Sequence, residues 1–193
     1  MRMNVKFLRV VALLLLLGAG VTGCERADVS APSDLEAQFN KGNRNRGTQV
    51  RRVSTTGDRA DAAGVTRGTS QLMQVSGSGA NGSWTHYLYI PEGAVRQKTN
   101  FTMELADSEV FHVELTATKA GSRSSNDVGA SGFQKPLLLC LDRKDASITD
   151  LSKVAIAEVL NGNFLSVPTT AHALNSHVCG QLRHFSGYTM IED

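Results

Sequence analysis

The stretch KVAIAEVLNGNFLSV, residues 153–167, contains two β-rich segments joined by Asn161-Gly162. Asn and Gly both tolerate the positive φ angles that a two-residue hairpin turn requires. The stretch therefore predicts two antiparallel strands joined by a tight turn, a unit that is typical of all-β folds.

Similar segments continue on both sides of this hairpin, from about residue 69 to residue 193. They either alternate polar and apolar residues or are rich in β-formers: TSQLMQVS, SWTHYLYI, TNFTMELA, VFHVELTAT, KPLLLCLD, HVCGQL and HFSGYTMI. Phe101, Met103 and Leu105 share one face of their segment, whereas residues 137–141 are apolar on both faces and predict a central strand. Gly, Pro, Asn and Asp interrupt the series at short intervals. The pattern predicts an antiparallel β-sandwich, with a loop at residues 120–132 and one possible helix at residues 149–157.

The first 23 residues are predicted to be a signal peptide. Arg2, Lys6 and Arg9 precede an apolar run at residues 10–21 that is too short to span a bilayer. The run ends in Val-Thr-Gly-Cys, which resembles the lipobox of bacterial lipoproteins. The resemblance implies that Cys24 is lipidated and becomes the first residue of the mature chain. An ordinary export signal with an incidental cysteine is the alternative.

Removal of this peptide changes the charge balance, because residues 1–23 carry three basic and no acidic residues, leaving 17 basic and 18 acidic residues. A nucleic-acid-binding domain would keep a basic excess, so this class is excluded. Residues 24–68 contain few large apolar side chains and are interpreted as a flexible tether. Its cluster of Arg44, Arg46, Arg51 and Arg52 fits solubilising charge, or contacts with lipid phosphates or a polyanionic envelope polymer, and solubilising charge is favoured.

Two cysteines remain after Cys24, at positions 140 and 179. An even pair in an exported chain predicts a Cys140–Cys179 disulfide, with two buried free thiols as the alternative. His172, His177, Cys179 and His184 lie close in sequence, but their spacing matches no zinc template. No pattern in the chain predicts a metal or a cofactor.

Three motifs appear in a familiar order: YIPEGAV at residues 89–95, FQKPLLLCLD at residues 133–142 and RHFSGY at residues 183–188. The chain resembles the ZU-five domain of ankyrins, netrin receptors and tight-junction scaffolds over residues 69–193. The resemblance implies a β-sandwich. It also implies a possible reaction, because some relatives cut themselves between Phe and Ser of an HFS stretch.

Carried over to this chain, that reaction would break the Phe185–Ser186 bond, with Ser186 as nucleophile and His184 as base. The alternative, which we favour, is that the stretch is a packed last strand, with Phe185 pointing into the core. Two residues apart on a strand, His184 and Ser186 would share a face, and Tyr188 would join Phe185 only through a bulge at Gly187.

The expected function is therefore non-catalytic: a bacterial cell-envelope lipoprotein, anchored through Cys24 at the outer membrane or cell surface, that displays a binding or structural module. Its expected partners are the membrane and an unidentified protein or glycan. Self-cleavage is the first alternative. A carbohydrate-binding sandwich is the second, carried by Trp84, Tyr87 and Tyr89. That alternative requires an exposed Trp84.

Overall fold

The computed structural model describes residues 47–57, 59–107, 109–122, 127–148, 150–172 and 176–192. The predicted signal peptide, Cys24 and most of the predicted tether lie outside these residues. In the described part of the chain, no helix is long and apolar enough to cross a membrane.

Strands dominate the described structure. Their bounds are β1 Thr48–Gln49, β2 Ser54–Gly57, β3 Ala60–Val65, β4 Gln71–Gly79, β5 Gly82–Ile90, β6 Thr99–Leu105, β7 Val113–Lys119, β8 Leu137–Asp142, β9 Val154–Leu160, β10 Asn163–Ser166, β11 Thr169–His172, β12 His177–Leu182 and β13 Gly187–Glu192. The short helix α1 spans Asp127–Ser131, and 3₁₀ turns span Arg143–Asp145 and Leu151–Lys153.

The strands form two antiparallel sheets. Sheet 1 has the order β10-β9-β13-β7-β6-β3, with β1 beside β13, and sheet 2 has the order β11-β12-β8-β5-β4-β2. Apolar side chains from the two sheets meet in one core, as alternation along each strand requires. The prediction of an all-β antiparallel sandwich is confirmed.

Several local predictions are also confirmed. Asn161 and Gly162 have φ angles of 52° and 76°, and they join β9 to β10 as the sequence predicts. Phe101, Met103 and Leu105 are all buried on one face of β6. The apolar strand β8 lies between β12 and β5, well inside sheet 2.

Two predictions about helix and loop are corrected. The segment at residues 120–132, predicted as a loop, contains α1. The possible helix at residues 149–157 does not form in the described part of that segment, where a 3₁₀ turn at Leu151–Lys153 is followed by β9. The β-branched and alternating residues of VAIAEV pair with β13, and this pairing prevails over local helix preference.

The predicted boundary between tether and sandwich at residue 69 is wrong, because β1, β2 and β3 lie before it. β3 adds to the edge of sheet 1 beside β6, and β2 adds to the edge of sheet 2 beside β4. β2 and β3 contain few large apolar residues, and as edge strands they are held largely by backbone hydrogen bonds to one neighbouring strand. Val50 and Val65 are buried, and backbone pairing holds the rest.

The sandwich has two distinct ends. The entry end holds the first described residues, since Thr48 pairs with Glu192 and Glu192 pairs with Val154 at the start of β9. The turn between β4 and β5 belongs to this end, because the Ala80 amide donates to the Val53 carbonyl. The far end holds the β9–β10 turn and the bend at residues 183–186 that leads into β13.

Candidate functional site

The far end brings together Glu158, His184 and Ser186. Ser186 Oγ donates a hydrogen bond to Glu158 Oε1 at 2.8 Å, and His184 Nδ1 lies 3.5 Å from the same oxygen. Glu158 is only 4% exposed, so its carboxylate is nearly removed from water. A buried carboxylate is stabilised by such donors, and the serine supplies one of them.

Strand β9 positions the carboxylate. Glu158 follows Ile156 on the core-facing side of β9, and it lies opposite Tyr188 of β13. Burial and the nearby Glu158 charge raise the pKa of the Tyr188 phenol, which therefore stays neutral. Its hydroxyl donates to the His184 carbonyl at 2.7 Å and fixes the backbone of the bend.

The bend itself differs from the predicted strand. β13 begins at Gly187, so His184 and Ser186 lie before the strand, although both side chains still face the same Glu158 oxygen. Phe185 is buried as predicted and packs against Phe133 and Phe101, with ring centroids 4.7 and 5.6 Å apart. Tyr188 is buried as well, without a bulge, because strand alternation does not extend back to Phe185.

A second pair, His112 and Glu114, lies on the other side of Gly187. His112 Nε2 is 2.8 Å from Glu114 Oε1. A Cβ at Gly187 would lie only 2.7 Å from His112 Nε2 and 3.1 Å from Glu114 Oε1. The absence of a side chain at Gly187 therefore lets this pair approach the backbone beside Ser186.

This geometry would allow the proton transfer that begins self-cleavage at the Phe185–Ser186 bond. The Glu158 carboxylate is placed to accept a proton from Ser186, whereas His184 contacts the carboxylate and not the serine. Attack on the preceding carbonyl also needs strain in the scissile amide. The only described non-glycine residues with positive φ are Asn161 and Ser176, so no residue of the bend at 183–186 has the positive φ that would indicate backbone strain.

The predicted disulfide is present. Cys140 Sγ and Cys179 Sγ are bonded, and the two residues lie directly opposite each other on β8 and β12. Both half-cystines are buried, and Cys140 lies opposite Tyr87 on the face of sheet 2 that points away from the core. The Tyr87 ring belongs to the same face, with its hydroxyl 4.0 Å from Cys179 Sγ.

The predicted aromatic platform separates into two groups. Trp84 is 2% exposed and points into the core, whereas Tyr87 and Tyr89 lie on the outer face of sheet 2. β2 covers Trp84, since Gly57 and Gly77 leave room for its ring; a Cβ at Gly77 would lie 2.3 Å from that ring. The carbohydrate-binding alternative thus loses the residue that it required.

The group His172, His177, Cys179 and His184 is not assembled into a site. Cys179 is in the disulfide, His177 Nε2 contacts the Thr85 carbonyl, and His184 lies at the opposite end of β12. The His172 side chain lies outside the described atoms. Within the described residues, no three His, Cys, Asp or Glu side chains form a group that could hold a metal ion.

Sequence reasoning missed a buried polar network at the entry end. Arg52 Nε donates to Asp145 Oδ2 at 2.8 Å, and His86 Nε2 lies 3.0 Å from the same oxygen. The Asp142 amide donates to His86 Nδ1 at 2.9 Å, so Nε2 carries the hydrogen and donates to Asp145. Burial lowers the pKa of His86, which keeps the ring neutral.

The network changes the interpretation of the arginine cluster. Arg52 lies over the rings of Trp84 and Phe111 and is 6% exposed, so it is not solubilising charge on a linker. Arg51 is exposed, and Arg44 and Arg46 lie outside the described residues. No local pattern marked Arg52, because its hydrogen-bond partners, the Asp107 carbonyl and the Asp145 carboxylate, are 55 and 93 positions away. Glu158 did carry a signal, since it interrupts the apolar strand VAIAEVL.

No protein-family model, no curated protein and no solved structure matches the chain.

Proposed function

We propose that the chain is a bacterial cell-envelope lipoprotein whose sandwich is a non-catalytic binding or structural module, displayed on a lipid anchor at Cys24. The observation that carries the binding role is an exposed apolar row on the outer face of sheet 2. Leu72 and Tyr89 are 46% and 41% exposed and lie opposite each other on β4 and β5. Leu138 continues the row on β8.

This row lies on a rigid surface. The disulfide joins β8 to β12 beside it, and the Tyr87 ring packs against His177 with centroids 5.0 Å apart. Contiguous exposed apolar patches mark surfaces that contact another molecule, and this row is proposed as the centre of such a patch. A protein or glycan partner is proposed to use this face.

The local structures of the three motifs support the ZU-five-like assignment as a proposal. Ile90 is the last residue of β5, and Pro91 follows it because proline has no amide to continue the ladder. Gly93 has a φ angle of 78°, which its turn requires. Lys135-Pro136 leads directly into β8, and the HFS stretch leads into β13.

The lipid anchor is tested by the mass of the N-terminal peptide of the chain extracted from a bacterial host. We expect a peptide that begins at Cys24 and carries the added mass of two or three acyl chains, which together anchor a protein stably. The Cys24→Ser variant is the control and should carry none. An unmodified wild-type peptide that begins elsewhere would refute the anchor and leave a plain exported protein.

Self-cleavage at Phe185–Ser186 stays the second candidate, because Ser186 Oγ lies 2.8 Å from a buried carboxylate. In that reaction Oγ would attack the Phe185 carbonyl, the Ser186 amide nitrogen would leave as a free amine, and water would hydrolyse the ester. Glu158 would accept the hydroxyl proton in the first step and pass it to the departing nitrogen. None of the residues of the bend at 183–186 has a positive φ, so the backbone gives the reaction no support.

We expect the chain from Glu25 onward to show its full-length mass, lighter by the two hydrogens of the disulfide. The sample must be denatured, because β13 pairs with both β9 and β7 and would hold a cut fragment in place. Loss of residues 186–193, prevented by both Ser186→Ala and Glu158→Gln, would instead establish the self-cleaving function.

A further inference from the structure

A cavity of about 270 Å³ opens at the entry end. The residues that line it are Asn81, Arg143, Lys144, Ala146, Ile148 and Leu151. Its floor is apolar, since Ala146 is buried and both Ile148 and Leu151 pack against the core. Its rim is cationic and polar.

The two rim cations have no ion-pair partner within the described part of the chain. Arg143 and Lys144 are both exposed, and no acidic residue lines the cavity. The nearest acids in sequence are otherwise engaged: Asp145 pairs with Arg52, and the Asp142 carboxylate accepts the Thr85 and Lys144 amides. Arg51 is also exposed, and its backbone lies beside the cavity because its carbonyl accepts the Ser147 amide.

The position of the cavity relates it to the N-terminal segment. Leu151 lines the cavity, and the neighbouring Asp150 amide donates to Glu192 Oε1 at 3.1 Å. Glu192 pairs with Thr48, one residue after the first described residue. The 22 residues at positions 25–46 therefore connect Cys24 to the same end of the sandwich that carries the cavity.

We propose that this cavity binds the phosphate of an anionic phospholipid headgroup, so that the entry end lies against the membrane. Arg143, Lys144 and the Asn81 amide surround the phosphate, and Arg51 adds attraction to the anionic surface. The orientation rests on the proposed anchor at Cys24. The far end, with Glu158 and Ser186, then faces away from the bilayer.

The test uses the chain from residue 24 with Cys24→Ser, which contains both sheets, the disulfide and the core but no lipid. Sedimentation measures its binding to vesicles of phosphatidylcholine with and without phosphatidylglycerol. We expect binding only to the anionic vesicles, and a loss of about 30-fold in the Arg143→Ala/Lys144→Ala variant, since each charge near such a surface contributes about fivefold. Binding should weaken as salt is raised.

The matched control is Arg67→Ala/Lys98→Ala, which removes the same two residue types from exposed positions beside the paired ends of β3 and β6, at the far end of the sandwich. It should retain wild-type binding. An equal loss in both variants, or no binding of the wild type to anionic vesicles, would overturn the proposal. Equal competition by free glycerol phosphate and by inorganic phosphate at micromolar concentrations would show a soluble phosphate site and overturn the lipid assignment.

The outcome of this experiment does not depend on whether Cys24 is lipidated in the natural chain. An unlipidated chain that binds anionic vesicles supports the cavity whatever the N-terminal peptide mass proves to be. If the natural chain is lipidated but its unlipidated form does not bind anionic vesicles, the proposed function stands. The proposal that the cavity binds a lipid phosphate is then rejected.

Discussion

Replacement of Asp145 by alanine is expected to lower the free energy of unfolding by about 3–5 kcal/mol, because it leaves a buried guanidinium without its counter-charge. Arg52 and Asp145 are 6% and 0% exposed, and their contact joins a segment near the start of the described chain to the 3₁₀ turn at Arg143–Asp145. His86 loses its acceptor in the same variant. Three elements of the entry end therefore depend on one carboxylate.

Urea-induced unfolding, followed by tryptophan fluorescence, measures this loss directly, since Trp84 stacks on His86 with ring centroids 4.6 Å apart. The control is Asp150→Ala, which removes a solvent-accessible carboxylate that pairs with the exposed Lys153 and accepts the Ser152 amide, and it should change stability far less. Equal losses in the two variants would show that the buried network contributes no more than a surface ion pair.

The double variant Arg52→Met/Asp145→Leu tests whether the instability of Asp145→Ala comes from the unpaired buried charge or from the lost hydrogen bonds. It removes both charges together, and apolar pairs of similar size often replace buried ion pairs without loss. We expect it to recover much of the stability that Asp145→Ala loses. A double variant as unstable as the single one would mean that the hydrogen bonds to His86 and to the Asp107 carbonyl matter more than the charge balance.

The fold of residues 69–193 was predictable because local and long-range preferences agree there. Asn161-Gly162 can adopt the hairpin turn without strain, and the alternation in β6 matches its buried face. Residues 48–65 were not predictable by the same reasoning. Their strands are held by backbone pairing to β13, β4 and β6, and composition does not report such pairing.

Some of the candidate sites were likewise predictable from the sequence, and others were not. The disulfide followed from counting cysteines in an exported chain, whereas the partner of Ser186 did not follow from spacing. Glu158 is 28 positions away and reaches the serine only because β9 and β13 are neighbours. The cavity at Arg143 and Lys144 depends equally on distant contacts, since Asn81 comes from the β4–β5 turn.

Loss of the Cys140–Cys179 disulfide is expected to lower the free energy of unfolding by about 4 kcal/mol, the chain-entropy value for the loop of 39 residues that it closes. The Cys140→Ala/Cys179→Ala variant and the reduced wild type should both show this loss in urea unfolding. Agreement between them separates the cross-link from the packing of the sulfur atoms, since only the reduced protein keeps both thiols.

The position of the bond determines which part of the structure responds. In the folded chain, β12 pairs with β8 on one side and with only the edge strand β11 on the other. Without the bond, amide hydrogen exchange should therefore accelerate first in β11 and β12, while β9 and β13 of sheet 1 keep their protection. A loss well under 1 kcal/mol with unchanged exchange would contradict the entropic account. It would mean that the unfolded chain already keeps enough structure around these cysteines for the cross-link to remove little of its entropy.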